Sequence, residues 1–154
     1  SFPRRGIRRH EGAGYYCAIS HKEVGVAGGV YMPTPETLAA MRRHIAARPE
    51  EFRAILNARP IRRLLGELQG DRLARVPKGY PADHPAADLL RFKQMYFYVE
   101  LPAETALTPE LYGEIVTRFR AMTRFMEFLN APLVARKKEN AGRTAFASER
   151  PRVC

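Results

Sequence analysis

The sequence contains no tryptophan, only two cysteines and no apolar run of about 18 residues. A transmembrane helix is therefore not predicted, and the arginine-containing start of the chain leads into no apolar stretch of the kind that a signal peptide needs. Cys17 and Cys154 stand too far apart for a zinc-finger or redox motif. A disulfide scaffold is excluded as well, and the low cysteine content is typical of a cytoplasmic protein.

The composition is that of one folded domain. Apolar residues make up 45% and charged residues 27% of 154 residues, enough for a packed core. The net charge of +10 is concentrated at the two ends. Residues 1–10 hold four arginines and no acid, and residues 136–154 hold six basic and two acidic side chains. We expect these ends to be flexible basic tails that add weak, non-specific affinity for nucleic acid without forming a reading surface.

Three segments have the composition of β-strands. Residues 14–20 and 24–32 are rich in aromatic and β-branched side chains and predict a hairpin. Residues 95–101 alternate most clearly, with Tyr96, Tyr98 and Glu100 on one face. Gly25, Gly28 and Gly29 interrupt the second strand, and because they lack the spacing of a phosphate-binding loop, they indicate a bulge or a close approach of backbones.

The remaining apolar periodicity is helical. Thr34 and Pro35 form a helix start, with the threonine as N-cap and the proline in the first turn. Shorter helical stripes follow between residues 50 and 92, and the longest runs over 109–130. We therefore predict an α+β fold, in which a small antiparallel sheet (hairpin 14–32 plus strand 95–101) is packed by several helices. The single domain would span 13–132, between basic tails at 1–12 and 133–154.

One group of residues could perform acid–base chemistry. His84 could act as a general base oriented by Asp83 or Asp88, although the same residues also fit an ordinary turn before a helix. No histidine spacing indicates a metal site, and no motif indicates a cofactor. The sequence does not decide whether the protein is an enzyme.

Two blocks of sequence carry a family resemblance. The first consists of Gly14-Tyr15-Tyr16, residues 26–33 (VAGGVYMP) and Arg42; the second contains residues 77–80 (PKGY), His84-Pro85 and Lys93. In order and spacing these resemble domain-of-unknown-function family 2461, which comprises conserved hypothetical proteins of bacteria and fungi, over about residues 13–132. The resemblance implies no activity.

Members of that family usually begin with a further segment of several tens of residues, which this chain lacks. A sheet built partly from such a segment would be left with an exposed edge, so we expect a homo-oligomer or a partner chain.

Three functions follow as hypotheses. The first is a domain that binds a small anionic or polar ligand in a cationic cleft formed by residues at family positions, namely Arg42, Lys78, Tyr80, His84 and Lys93. The second is a hydrolase or transferase that uses His84 as its base. The third is a nucleic-acid accessory role of the basic tails.

Overall fold

A computed structural model describes residues 2–3 and 12–147, with side chains from residue 12 to residue 141. These residues form four β-strands, five α-helices and one 3-10 helix. The strands are β1 (Phe2–Pro3), β2 (Gly14–Ile19), β3 (Glu23–Val30) and β4 (Met95–Pro102). The helices are α1 (Pro35–Ala47), α2 (Pro49–Leu56), α3 (Arg59–Leu64), α4 (Ala87–Leu90) and α5 (Leu111–Ala147), with the 3-10 helix at Ala103–Leu107.

The strands form one antiparallel sheet in the order β1-β2-β3-β4. The predicted hairpin is confirmed, and its turn is held by Ser20, whose hydroxyl accepts hydrogen bonds from the amides of Lys22 and Glu23 at 3.2 and 3.1 Å. The second strand ends at Val30, two residues earlier than predicted. The α+β class with a hairpin and a third strand at residue 95 is confirmed.

One face of the sheet forms the core with α5. The buried side chains on this face include Val24, Val26, Met95 and Phe97. Gly28 lies under the helix, where an added Cβ would stand 2.3 Å from Met122 Sδ and 2.8 Å from Met126 Cε. The glycine-rich strand is thus a close-packed one, as the sequence indicated.

The first helix begins as the sequence predicts. The Thr34 hydroxyl accepts a hydrogen bond from the Thr37 amide at 3.2 Å, and Pro35 occupies the first turn, where its missing N–H costs nothing. Helices α1, α2 and α3 then pack against α5. Phe52 of α2 stacks on Phe125 and Phe128 of α5 at centroid distances of 6.2 and 4.9 Å, which joins the helical layer to the core.

Helix α5 is longer than the sequence predicts. It passes through Pro132 and extends to Ala147, whereas the sequence pattern predicts an end near Asn130, so residues 133–147, which the sequence analysis assigns to the basic tail, continue the helix. Leu133 is still buried, and Arg136 approaches Glu36 of α1 at 3.9 Å, so the turns after the proline remain attached to the domain. The sequence that follows, residues 137–147 (KKENAGRTAFA), is mostly polar or small and has no periodic apolar stripe.

The predicted N-terminal tail is also partly structured. Phe2 and Pro3 of β1 pair with Tyr15 and Gly14, so residues 1–12 are not tail throughout. Residues 1, 4–11 and 148–154 lie outside the described part of the chain, and the expectation of flexible ends falls mostly on them. Because β1 pairs with only the first two residues of β2, the described residues leave the outer edge of residues 16–19 without a partner strand.

The other edge of the sheet is covered. The backbone of Gln69 exchanges hydrogen bonds with Tyr96 of β4 at 2.9 and 3.2 Å, and its side-chain amide donates to the Tyr98 carbonyl at 3.0 Å. One residue therefore satisfies three backbone groups of the last strand, and the edge is protected from pairing with another chain between Tyr96 and Tyr98.

Candidate functional site

Arg42 projects from α1 toward the end of α4. Its Nη2 donates a hydrogen bond of 2.9 Å to the Phe92 carbonyl, and its Nε is buried without a hydrogen-bond partner. Burial lowers the pKa of the guanidinium, an effect that nearby Tyr80 partly opposes. Among residues 12–141 no carboxylate forms an ion pair with it. Arg42 is therefore a half-buried cation whose charge the described residues leave uncompensated.

Arg118 of α5 provides an internal comparison. Its Nε is likewise buried without a partner, but its Nη1 pairs with the Glu114 carboxylate one turn earlier in the helix. The charge of Arg118 is thus neutralised within the fold, whereas that of Arg42 is not.

Tyr80 lies close enough to Arg42 to influence the pKa of its guanidinium, and His84 contacts Tyr80. Their rings meet edge to face with centroids 6.0 Å apart, and the loop that carries them is closed by a hydrogen bond of 3.1 Å from the His84 amide to the Pro81 carbonyl. Proline and glycine residues shape this loop, as the density of turn formers in residues 77–85 predicts. Of the five residues predicted to bind ligand, Tyr80 thus lies near Arg42, and His84 contacts Tyr80.

The two lysines predicted for the same cleft lie farther out. Lys78 is exposed two residues before Tyr80, and Lys93 is exposed directly after Phe92. The Lys93 amide donates to the Asp71 carbonyl at 2.8 Å, which fixes its backbone beside the segment that follows α3. Lys78 is thus close to Tyr80 in sequence and Lys93 is next to Phe92, and in solvent their charges are screened.

The geometry of His84 fixes which ring nitrogen carries the proton. Its Nδ1 accepts a hydrogen bond of 3.0 Å from the Ala86 amide, and a nitrogen that accepts must present its lone pair. The neutral ring therefore has its hydrogen on Nε2. In this tautomer His84 offers a donor at Nε2, while its basic nitrogen is already occupied by the backbone.

The carboxylates predicted to orient His84 are placed differently. Both oxygens of Asp88 accept from Arg53, at 3.1 and 2.6 Å, and Arg53 also donates to the Pro85 carbonyl at 2.7 Å. This pairing holds the pKa of the Asp88 carboxyl below its usual value and raises the pKa of Arg53. Asp83 is exposed. Asp88 thus ties α2 to α4 rather than serving His84.

Two further arginines lie near Phe92 that the sequence analysis did not single out. The guanidinium of Arg72 sits over the Phe92 ring, 4.5 Å from its centroid, and Arg91 Nε donates to the Leu73 carbonyl at 2.7 Å. Neither forms an ion pair with a carboxylate within residues 12–141. No spacing of residues in the sequence could have identified them, because Arg72 and Phe92 are brought together by an isolated β-bridge between two separate segments of the chain.

Other kinds of site find no support in the part of the chain that the structure describes. It contains no group of three or more histidine, cysteine, aspartate or glutamate side chains that could hold a metal ion. None of its helices combines the length and the apolar character that crossing a bilayer requires. Cys17 is a half-buried free thiol, and burial raises its pKa, so it does not have the lowered pKa of a nucleophilic cysteine.

The fold is thus an α+β domain with one long helix on an antiparallel sheet and a half-buried arginine, Arg42, on α1 near the loop before α4. The chain belongs to the family described as "Conserved hypothetical protein (DUF2461)", whose model matches residues 1–128. The match begins at residue 1, whereas the resemblance described in the sequence analysis begins at about residue 13. In comparisons with curated proteins and with solved structures, nothing matches the chain significantly.

Proposed function

We propose that this protein is a binding domain for a small anionic ligand, held through a carboxylate or phosphate group at Arg42 beside Tyr80 and His84. The observation that carries the proposal is the half-buried guanidinium of Arg42, which has one hydrogen bond to Phe92 and no acidic partner among residues 12–141. Burying an unpaired charge is costly, and a bound anion would offset that cost.

The arrangement suits recognition of an anion. A guanidinium has five N–H donors in a planar fork, and the bond to the Phe92 carbonyl fixes the orientation of that fork before a ligand arrives. The Nε2–H of His84 and the hydroxyl of Tyr80 add neutral donors, which assist binding without competing for the negative charge. Lys78 and Lys93 would contribute long-range attraction that is weakened by salt.

Calorimetric titration of the purified chain with inorganic phosphate, pyrophosphate and citrate, each in a buffer without other polyvalent anions, tests the proposal. We expect at least one of them to bind, and Arg42→Gln to weaken that binding by tenfold or more, about the effect of losing one charged hydrogen-bonding partner. Arg43→Gln is the matched control, because Arg43 is the exposed neighbour on the same helix and its loss changes the net charge equally.

Two results would overturn the proposal. One is that none of the three anions binds. The other is that Arg42→Gln and Arg43→Gln weaken binding to the same extent, which would mean that only net charge matters.

The alternative of a hydrolase or transferase with His84 as general base is less well supported by the geometry. A base at Nδ1 would have to give up the Ala86 hydrogen bond, and Nε2 carries the proton in the observed tautomer. If His84 is a donor instead, His84→Gln retains an N–H donor near the position of Nε2, and anion binding should survive this change. If His84 were instead the general base of an enzyme, the same substitution would abolish the enzymatic activity.

The remaining expectations are still predictions. A nucleic-acid role rests on basic residues that lie largely outside the described segments, and deletion of residues 1–10 and 136–154 is its test. A homo-oligomer would use the unpaired edge of β2, and sizing chromatography at several concentrations would reveal it. A cytoplasmic location is inferred from the cysteine content alone.

A further inference from the structure

The sheet has a second face, which α5 does not touch. Residues opposite one another in an antiparallel sheet point to the same side, so the pairing identifies this face. Helix α5 lies on the valine face, because Gly28 points toward Met122 and Met126, whereas Tyr16 on the opposite face is 50% exposed. The outward positions that matter here are Tyr16 on β2, Glu23 and Ala27 on β3, and Tyr96, Tyr98 and Glu100 on β4.

Tyrosine rings lie on both sides of β3, the central strand, whose outward side chains between them are small. Tyr16 and Tyr98 are the two partners of Ala27, so they face each other across one small side chain, with backbones about 10 Å apart at the usual strand spacing. Tyr96 is two residues from Tyr98 on the same strand, and its ring meets Tyr31 at a centroid distance of 5.4 Å. Tyr16 and Tyr31 are 50% and 62% exposed, which is a large aromatic area to leave in water.

The hydroxyl of Tyr98 is already engaged. It donates to Glu23 Oε1 at 2.8 Å, and the ring lies over Gly25, where an added Cβ would be 2.9 Å from the hydroxyl oxygen. The glutamate and the glycine thus fix the ring in place. A fixed ring presents its face to a ligand at little entropic cost.

The charged side chains of this face are negative, whereas the chain as a whole is positive. Its outward positions on the described strands include Glu23 and Glu100 and no lysine, arginine or histidine, whereas the whole chain carries +10. The pKa of Tyr98 is raised to about 12 by Glu23 above all, with contributions from Glu100 and Tyr16, so these groups lie close together. Lys22 in the hairpin turn is the cation nearest to them in sequence. Aromatic faces beside carboxylates attract cations and repel phosphates.

We propose that this open tyrosine face docks a basic segment of a partner protein, whose arginine or lysine side chains stack on Tyr16 and Tyr98 and pair with Glu100. Charge complementarity argues for this occupant, because a guanidinium gains both from the ring faces and from the carboxylate. A nucleic acid could stack on the same rings but would bring its phosphates next to two glutamates. The proposed anion site at Arg42 plays no part in this interaction.

The test uses a short peptide of alternating arginine and alanine, titrated into the full chain at low salt and followed by calorimetry and by tyrosine fluorescence. The chain has no tryptophan to mask that signal. We expect the peptide to bind, and Tyr16→Leu and Glu100→Gln each to weaken binding about two- to fivefold, the size of an exposed cation–aromatic or ionic contact. Both residues are exposed, so both variants should fold.

Matched variants distinguish this face from the rest of the surface. Tyr112→Leu removes another exposed tyrosine and Glu127→Gln another exposed glutamate, both from α5, and neither should change the affinity. Arg42→Gln should not change it either, so the outcome is independent of the proposed anion site.

The inference fails if the peptide does not bind, if a glutamate-for-arginine peptide binds equally well, or if Tyr16→Leu and Glu100→Gln bind like the unaltered protein. It also fails if sedimentation shows a dimer that Tyr16→Leu disrupts, since the face would then be occupied by a second copy. An oligothymidylate that binds with the same sensitivity to these variants would assign the face to nucleic acid instead.

Discussion

Asn130 and Ala13 exchange two hydrogen bonds across the interior of the domain. The Ala13 amide donates to Asn130 Oδ1 at 2.9 Å, and Asn130 Nδ2 donates to the Ala13 carbonyl at 3.1 Å. Both residues are buried, and they are 117 positions apart in the sequence. A side chain of α5 thus takes the place of a neighbouring strand for the backbone that leads into β2.

Replacing Asn130 with alanine should destabilise the fold strongly. The change leaves the N–H and C=O of Ala13 buried without partners, and we expect the free energy of unfolding to fall by about 2–4 kcal/mol. Urea denaturation measures the difference. Asn57→Ala serves as the control, because Asn57 is exposed and its loss should cost less than about 0.5 kcal/mol. Equal effects of the two variants would contradict the role of the Ala13 contact.

A methyl group at Gly28 should be costly, while one at Gly113 should not be. Gly28→Ala places its Cβ against Met122 and Met126, and overpacking of this kind costs about 1–3 kcal/mol. Gly113 in α5 has no other atom within 4 Å of an added Cβ, so alanine should stabilise the protein by up to about 1 kcal/mol through helix propensity. The two variants are compared by thermal and urea unfolding. A Gly28→Ala protein as stable as the parent would show that the methionines can move aside freely.

The Asp88–Arg53 pair should make stability depend on acid pH. The pKa of Asp88 in the fold lies below 3.8, chiefly because Arg53 donates to the charged carboxylate. Its contribution is therefore present above about pH 3.8 and is lost as the pH falls through the folded value. Since the side chains are 40% and 58% exposed, the pair contributes only about 0.5–1 kcal/mol. The difference in unfolding free energy between the protein and Asp88→Asn should be present at neutral pH and shrink toward pH 3, and a constant difference would contradict this account.

Tyr98 should ionise only at strongly alkaline pH. Its pKa is raised from 10.0 to about 12, mainly because its hydroxyl donates to Glu23. The neutral phenol is favoured by the fold, so this contribution to stability is complete below pH 10 and is lost as the pH rises through about 12. Absorbance at the tyrosinate band should lose its most alkaline step in Tyr98→Phe. Glu23→Gln should move that step toward lower pH, and an unchanged titration in this variant would exclude the hydrogen bond as the cause.

Local chemistry predicted most of the elements. Aromatic and β-branched residues marked the hairpin and the strand at Met95, and Thr34 with Pro35 marked the start of α1, because the residues that form these features are neighbours in sequence. Close packing at Gly28 was also foreseeable, because a glycine inside a strand weakens the strand and often marks a site where another group approaches the backbone closely.

The candidate site was only partly accessible to such reasoning. Arg42 reaches a carbonyl 50 positions away and Arg53 a carboxylate 35 positions away, and no local spacing encodes such contacts. The acid near His84 was for this reason assigned to the histidine instead of to Arg53. The end of α5 was missed for another reason: the helix continues where its apolar stripe has stopped, and nothing in the residue pattern distinguishes a polar helix from an unstructured segment.

The reciprocal contact between Ala13 and Asn130 also determines when the domain can be completed. On a ribosome, the beginning of β2 leaves the exit tunnel long before the turn of α5 that satisfies it. Until that turn emerges, the amide and carbonyl of Ala13 must remain hydrated or find temporary partners. The hairpin can form early, but it can be buried in the interior only after this part of α5 has been synthesised.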